Sequence, residues 1–133
     1  FATLLSSKNN KGTINLGKGS NIQDNSIINT SGQTIDIGKR VTIGHNVIIN
    51  GNIKIENDVV IGMGSIIQKN CHFKKNAFIG ANSYVKENTT VPEGDIYAGK
   101  PAKFFRKITN EEKKYFSLGQ KIYEKLTKNY SAI

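Results

Sequence analysis

An aliphatic or aromatic residue recurs at every sixth position along the middle of the chain. The series is Ile37, Ile43, Ile49, Ile55, Ile61, Ile67, Phe73, Ile79, Val85 and Val91. A small or β-branched residue follows four positions after each of the first nine, from Val41 to Thr89. Neither a helix, with a period of 3.6, nor an ordinary strand, with a period of 2, produces this pattern. A period of six with two inward positions predicts an all-β parallel β-helix, in which three hexads close one coil.

The corners between the predicted strands carry a matching signal. The third residue after each aliphatic position is Asn, Asp or Gly, with the single exception of Arg40. These residue types adopt a positive φ at low cost. Because they are in phase with the aliphatic residues, they indicate a repeated tight corner and not an Asn-rich stretch of low complexity.

The repeat also extends toward the N-terminus through Leu16, Ile22 and Ile28. The step from Ile28 to Ile37 is nine residues, so three extra residues around positions 31–33 must loop out of the wall. The chain then supplies about four to five coils of about 18 residues each. We divide it into an N-terminal segment (1–12), a β-helix (13–108), and a C-terminal helix with its tail (109–133).

The C-terminal helix is predicted from its capping signal and its apolar stripe. Thr109 and Glu112 form a Thr-x-x-Glu capping box, which predicts a helix over about residues 110–128. Its stripe is Tyr115, Leu118, Ile122 and Leu126. We expect this stripe to pack on the β-helix or on a neighbouring chain.

Composition restricts the possible partners. The net charge is +9, but only two Arg are present and no aromatic platform for stacking bases is evident, so we expect no nucleic-acid partner. No apolar run approaches the ~20 residues that span a membrane.

The single Cys71 lies at an inward position and is interpreted as a core thiol. There is no initiating Met, so we interpret the chain as processed, truncated or incomplete and read nothing into a missing targeting signal.

Several segments resemble the γ-class carbonic anhydrases, a family of left-handed β-helices. They are residues 20–24 (SNIQD), 41–45 (VTIGH), 61–64 (IGMG), 79–81 (IGA) and 98–103 (AGKPAK), followed by Arg106. The last of these is looser, because hexapeptide acyltransferases share it. The resemblance implies a left-handed β-helix that assembles as a homo- or heterotrimer with metal sites between subunits.

The resemblance also implies where a metal would bind. Family members hold a zinc ion with three His residues, which here correspond to Asn29, His45 and Asn50. An amide is a poor zinc ligand beside imidazole, so the chain alone is expected to bind no zinc and not to be an enzyme. His45 could still serve as a ligand to zinc shared with a neighbouring subunit of a heterotrimer, or be a leftover interface residue. Gln23 and Asp24 are candidates for orienting such a ligand, although an ordinary surface or interface hydrogen bond at Asp24 is the favoured interpretation without a full ligand set.

The main functional expectation is a non-catalytic scaffold subunit, with its partners implied by the resemblance. These are γ-carbonic-anhydrase-like paralogues in a trimer, within respiratory complex I on the matrix side of the mitochondrial inner membrane. Its basic surface would meet acidic partners or lipid head groups. The alternative is a free-standing, otherwise cytoplasmic, homotrimer that acts as a divergent carbonic anhydrase or an acyltransferase-like enzyme. His72 matches no ligand of the family and is expected to be a solvated side chain.

Overall fold

The computed structural model describes residues 1–5 and 11–116, the last two of them by their backbone alone. Its strands β1 to β16 form three sheets. The first sheet contains β1 (Thr3–Leu5), β4 (Ile27–Asn29), β7 (Ile48–Asn50), β10 (Ile66–Ile67) and β13 (Tyr84–Val85). The second contains β2 (Thr13–Leu16), β5 (Thr34–Ile37), β8 (Ile53–Ile55), β11 (Cys71–Phe73) and β14 (Thr90–Val91). The third contains β3 (Asn21–Ile22), β6 (Thr42–Ile43), β9 (Val60–Ile61), β12 (Phe78–Ile79), β15 (Asp95–Gly99) and β16 (Ala102–Lys107).

The three sheets are the walls of a solenoid of about five turns, as the hexads predict. The chain visits the sheets in turn, and each strand up to β15 pairs in parallel with the strand one coil away. Ile35 pairs with Ile53, which gives the expected step of 18 residues. One coil earlier, Asn29 pairs with Asn50, which is a step of 21 residues. The step is longer because the turn at residues 31–33 adds three residues.

The core follows the six-residue series. Each of its ten members from Ile37 to Val91 is at most 2% exposed. Burial of one such side chain stabilises the fold by about 1.5–3 kcal/mol, so the stacked series is the main source of stability. Cys71 is 2% exposed within the same cluster, which confirms its interpretation as a core thiol.

Every predicted corner position has a positive φ. This includes Arg40, the one residue there that is not Asn, Asp or Gly, at φ 54°. Its guanidinium donates to both carboxylate oxygens of Asp58 in the next coil, at 2.7 and 3.0 Å. That paired contact helps to offset the cost of the left-handed backbone at Arg40.

The two ends of the described chain differ from the regular coils. Although residues 1–12 lack the hexad, Thr3 pairs with Ile27 and adds a further strand to the first sheet. At the other end, β16 folds back antiparallel on β15, and helix α1 (Asn110–Phe116) follows.

The predicted capping box is confirmed at the start of α1. The Glu112 amide donates to Thr109 Oγ1 at 3.1 Å, and the Thr109 amide donates to Glu112 Oε1 at 2.9 Å. The predicted continuation to residue 128, with the apolar stripe, lies outside the described residues. Within those that are described, no helix is long and apolar enough to cross a membrane.

The walls of the solenoid differ in how open they are. Phe78 and Ile96 on the third sheet are buried although they lie outside the axial cluster, so that wall is covered. Asp36 and Lys54 on the second sheet are exposed. The second wall therefore leaves charged side chains accessible at these two rungs.

Candidate active site

Three polar side chains lie on adjacent rungs of the open second wall. Asp36 pairs with Lys54, and Lys54 pairs with His72, as β5, β8 and β11 stack in parallel. Each residue stands between two inward residues of its strand and so points outward. Neighbouring parallel strands are about 4.8 Å apart. The Asp36 carboxylate, the Lys54 ammonium group and the His72 imidazole therefore form a continuous column on the outside of this wall.

His72 forms a short hydrogen bond with Glu56, the residue after β8. The distance from His72 Nε2 to Glu56 Oε2 is 2.5 Å, and the two side chains are 35% and 34% exposed. Glu56 lies two residues beyond Lys54, on the same face and diagonal to His72. The expectation that His72 is simply solvated is therefore wrong, because its ring is oriented by a carboxylate on the neighbouring rung.

Two shallow grooves meet at this pair. The first, of about 310 Å³, is lined by Thr34, Asp36, Asn52, Ile53, Lys54, Asn70, Cys71 and His72. The second, of about 410 Å³, is lined by Asp36, Gly38, Lys54, Ile55, Glu56, Asn57 and Lys75. They share Asp36 and Lys54, so the His72–Glu56 pair connects two adjoining surfaces that could hold two reactants.

Cys71 lines the first groove but is unsuited to act as a nucleophile. Its thiol donates to the Lys86 carbonyl oxygen at 3.3 Å. Burial raises the pKa of the Cys71 thiol above its ordinary value. The reactive thiolate is therefore disfavoured at neutral pH, and His72 is the stronger candidate for the chemistry.

The two Asn positions of the predicted metal site are stacked as their spacing predicts. Asn29 and Asn50 pair on β4 and β7 in the first wall, yet each amide has another partner. Asn29 Oδ1 accepts from the Ser31 amide at 3.1 Å, and Asn50 Nδ2 donates to Gln68 Oε1 at 3.3 Å. Asn29 is therefore tied to the turn that follows its strand, and Asn50 to Gln68 in the next coil.

His45 and Asp24 are neighbours at the corner between the third and first walls. The Asn46 amide donates to the Asp24 carbonyl at 3.1 Å, which stacks the two corners. The Asp24 carboxylate accepts from the Phe1 ammonium at 3.1 Å, and no described side chain is hydrogen-bonded to the His45 ring. Gln23 is 9% exposed, and its Oε1 has no hydrogen-bond partner among the described residues.

These residues do not fit a zinc site within one chain. No group of three His, Cys, Asp or Glu that could hold a metal ion occurs in the part of the chain that is described. A catalytic zinc needs three protein ligands, usually imidazoles or carboxylates, and among the three predicted ligand positions His45 alone supplies one. A zinc ion shared with a neighbouring subunit through His45 remains a prediction.

Comparison with known proteins identifies the family to which this solenoid belongs. The hexapeptide repeat of succinyl-transferase matches residues 34–69. A hexapeptide transferase family protein from Anaplasma phagocytophilum is 31% identical, over 97% of this chain and 78% of its own, with a TM-score of 0.73. The chain therefore belongs to the hexapeptide transferase family of left-handed β-helices.

Two further solved structures are similar to this chain. A Bacillus cereus protein assigned as an acetyltransferase is 29% identical, with 99% of this chain and 90% of that one covered and a TM-score of 0.64. A hexapeptide-repeat acetyltransferase from Vibrio cholerae shares the fold at 21% identity, with coverages of 83% and 71% and a TM-score of 0.66. No curated protein matches the sequence significantly.

The expectation that this chain is not an enzyme is wrong. It was drawn from the two Asn residues at zinc-ligand positions, which bear only on carbonic anhydrase chemistry, whereas the similar structures include a hexapeptide transferase family protein and an acetyltransferase. None of the similar proteins named above is a carbonic anhydrase or a respiratory subunit. The link to complex I, the matrix location, the paralogous partners and the lipid contact accordingly stay predictions.

Proposed function

We propose that this chain is an acyltransferase that moves an acyl group from a thioester to a hydroxyl or amino group of a small acceptor. The observation that carries the proposal is the His72–Glu56 hydrogen bond on the open wall of a hexapeptide transferase. A histidine oriented by a carboxylate is a common general base in acyl transfer.

The hydrogen bond to Glu56 supports Nδ1 of His72 as the nitrogen that acts as the base. A carboxylate only accepts hydrogen bonds, so Nε2 of His72 carries the proton shared with Glu56, and Nδ1 carries the lone pair. Nδ1 takes the proton of the acceptor O–H or N–H as that atom bonds to the thioester carbonyl carbon. The C–S bond then breaks, and the leaving thiolate receives the proton back from the imidazolium. Glu56 stabilises the positive charge that forms on His72 between the two steps.

Two observations support a thioester of coenzyme A as the donor. The Vibrio cholerae acetyltransferase of this fold is solved with acetyl coenzyme A. The second groove is lined by Lys54 and Lys75, whose ammonium groups can bind phosphate as point charges, together with the acidic Asp36 and Glu56. A donor lying along this groove would present its acyl group toward His72.

We further propose that the enzyme is a homotrimer formed through the first wall. One outward column there is apolar and contains Ile27, Ile48, Ile66 and Tyr84, which pair across β4, β7, β10 and β13. Ile27 is 36% exposed. A continuous apolar column on an outer face is a surface that proteins usually bury against a partner.

The proposal is tested by following release of free thiol from acetyl coenzyme A by the purified chain, with and without a mixture of hydroxyl and amino acceptors. We expect acceptor-dependent thiol release that is lost in Glu56→Gln and retained in Glu93→Gln, an exposed acidic residue outside both grooves. Thiol release that is absent, or equal without an acceptor, would contradict the proposal.

A divergent carbonic anhydrase is the second candidate. The pairing of Asn29 with Asn50, which their spacing predicts, is consistent with the positions of two zinc ligands in the resembled family. The donor set needs zinc ligands from a neighbouring chain, so this candidate depends on the shared zinc described above. We propose it only as the alternative. The zinc content of the Asn29→His, Asn50→His double variant and the acyl-transfer rates of His72→Asn and His45→Asn separate the two candidates.

A further inference from the structure

Lys54 stands where the two grooves meet, on the rung next to the proposed base. Its partners on the neighbouring rungs are Asp36 and His72, and all three residues face outward. Lys54 and Asp36 are the two residues that line both grooves. The Lys54 side chain is exposed and takes part in none of the ion pairs formed among the described residues. Its ammonium group is therefore available to a reactant at the junction of the grooves.

The proposed transfer develops a negative charge that still lacks a stabilising group. When the acceptor atom bonds to the thioester carbonyl carbon, the carbonyl oxygen becomes an oxyanion. His72 then holds the transferred proton, and Glu56 accepts the hydrogen bond of the imidazolium, so both residues are already engaged. Stabilisation of such an oxygen by fixed donors is usually the largest single contribution to acyl-transfer catalysis.

The backbone amides of the base and its carboxylate partner do not supply this donor, because the sheet uses them. The His72 amide donates to the Thr89 carbonyl oxygen at 3.0 Å, and the Glu56 amide donates to the Phe73 carbonyl oxygen at 2.9 Å. Each acceptor lies one coil further along the solenoid. A side chain that lines both grooves is therefore the stronger candidate.

Among the side chains of the two grooves, Lys54 combines a positive charge with a place next to the base. Asp36 also lines both grooves, but a carboxylate accepts hydrogen bonds only and would repel an oxyanion. Lys75 lines the second groove alone and lies past the end of β11. Lys54 pairs directly with His72, and its ammonium group carries three N–H donors.

We infer that Lys54 is a catalytic residue that stabilises the oxyanion of the tetrahedral intermediate. The inference rests on the proposed acyl transfer and deepens it by assigning the charge stabilisation at the same site. As the acceptor attacks, the electron pair of the carbonyl double bond moves onto the oxygen, and Lys54 Nζ donates a hydrogen bond to that oxygen. The pair returns as the C–S bond breaks, and the thiolate takes the proton held by His72. Lys54 keeps its own protons throughout, and Lys75 is left to bind phosphate groups of the donor.

The test compares Lys54→Met with the parent, with acetyl coenzyme A as the donor and a fixed mixture of glucose, L-serine and a primary diamine as acceptors. Met is similar in length to Lys but has neither the charge nor the donors. We expect kcat to fall about 10²-fold, with the KM for acetyl coenzyme A little changed. S-ethyl coenzyme A, a thioether that has no carbonyl oxygen, should inhibit the variant and the parent equally. Lys54→Arg, which keeps a charge and N–H donors, should recover part of the lost rate.

Lys18→Met is the matched control, because Lys18 is an exposed lysine outside both grooves, and it should keep the kcat and KM of the parent. All three variants should melt as the parent does, since both lysines are exposed. A Lys54→Met protein that keeps its kcat, or that changes only in its KM and its inhibition by S-ethyl coenzyme A, would show that Lys54 serves at most to hold the donor. That result would overturn this role and leave the acyltransferase proposal standing. An absence of thiol release by the parent would overturn both.

Discussion

His72 Nε2 lies 2.5 Å from Glu56 Oε2, although the two residues are 16 positions apart in the chain. The contact exists because one coil advances 18 residues, which pairs His72 with Lys54 and places Glu56 one outward position further along the rung below. A histidine on an open wall is thereby held in one orientation, with one nitrogen bonded and the other left for a reactant.

The Glu56→Gln substitution tests whether the carboxylate charge matters for turnover. Gln keeps the size and an acceptor oxygen but cannot stabilise the imidazolium, so we expect kcat to fall about 10²-fold with little change in KM. The melting temperature should stay close to that of the parent, because the pair is about one-third exposed. A variant that melts normally and retains full kcat would show that Glu56 has no part in the chemistry.

Replacement of Ile61 tests the assignment of the core. Ile61 is fully buried in the axial cluster, so Ile61→Asp would place an unpaired charge there and should abolish folding, as judged by circular dichroism. Ile61→Val should fold with a loss of about 1 kcal/mol. Thr13→Asp, on the exposed face of β2, is the control and should fold normally. A folded, cooperative Ile61→Asp protein would be incompatible with the coil register.

The corner residues should respond to substitution through their backbone angles. Asn76 has a φ of 61°, so Asn76→Ala should cost about 1 kcal/mol, while Asn76→Gly should be neutral or slightly stabilising. Urea denaturation of the two variants gives the comparison. Equal stabilities of the Ala and Gly variants would mean that this corner does not require a left-handed residue.

The contact of Arg106 with Glu112 predicts a dependence of stability on pH. Arg106 donates to both oxygens of Glu112, at 2.7 and 2.9 Å, and this contact lowers the pKa of that carboxyl below its usual range. A lowered folded-state pKa gives stabilisation that is present above the unfolded-state pKa, about 4.3, and lost as pH falls through the folded-state pKa.

Glu112→Gln should therefore be less stable than the parent by about 1 kcal/mol at pH 7, with the gap closing below about pH 4. Denaturation at pH 7 and pH 3 measures it. Glu87→Gln, which removes an exposed carboxylate without an ion pair among the described residues, is the control and should show no such gap. A gap for Glu112→Gln that is equal at both pH values would contradict the ion-pair account.

The double substitution Asn29→His with Asn50→His tests the resemblance to γ-class carbonic anhydrases. If His45 of a neighbouring copy reaches these stacked positions, the variant should bind about one zinc per chain, measured by mass spectrometry of the native oligomer. The single substitutions, each with at most two imidazoles at the site, should bind much less. No gain of zinc in the double variant would show that His45 does not face Asn29 and Asn50.

Much of the fold could be predicted because the inward positions repeat without interruption. The period of six from Ile37 to Val91, the positive φ at the Asn corners and the capping box at Thr109 are each confirmed. They depend on local chemistry in phase with the repeat. The strand at Thr3–Leu5 was missed because it pairs at a step of 24 residues, out of phase with the later coils.

The candidate site was harder to predict, because it depends on contacts between coils. His72 matches none of the ligand positions of the resembled family. On that basis alone it is expected to be a solvated side chain. Its link to Glu56 could have been found from the coil length, since a spacing of 16 places two residues diagonally on adjacent rungs of one wall. The Asn residues at positions 29 and 50 bear only on carbonic anhydrase chemistry, and they say nothing about acyl transfer, which needs no zinc.

The most direct measurement is the rate of acyl transfer from acetyl coenzyme A in His72→Asn and His45→Asn, the two histidine variants of this chain, compared with the parent. The account predicts that His72→Asn loses at least about 10²-fold in kcat, while His45→Asn retains nearly all activity. Both variants should keep the parent's melting behaviour, since neither ring is in the core. Full activity in His72→Asn, or loss of activity in His45→Asn alone, would contradict the placement of the active site on the second wall.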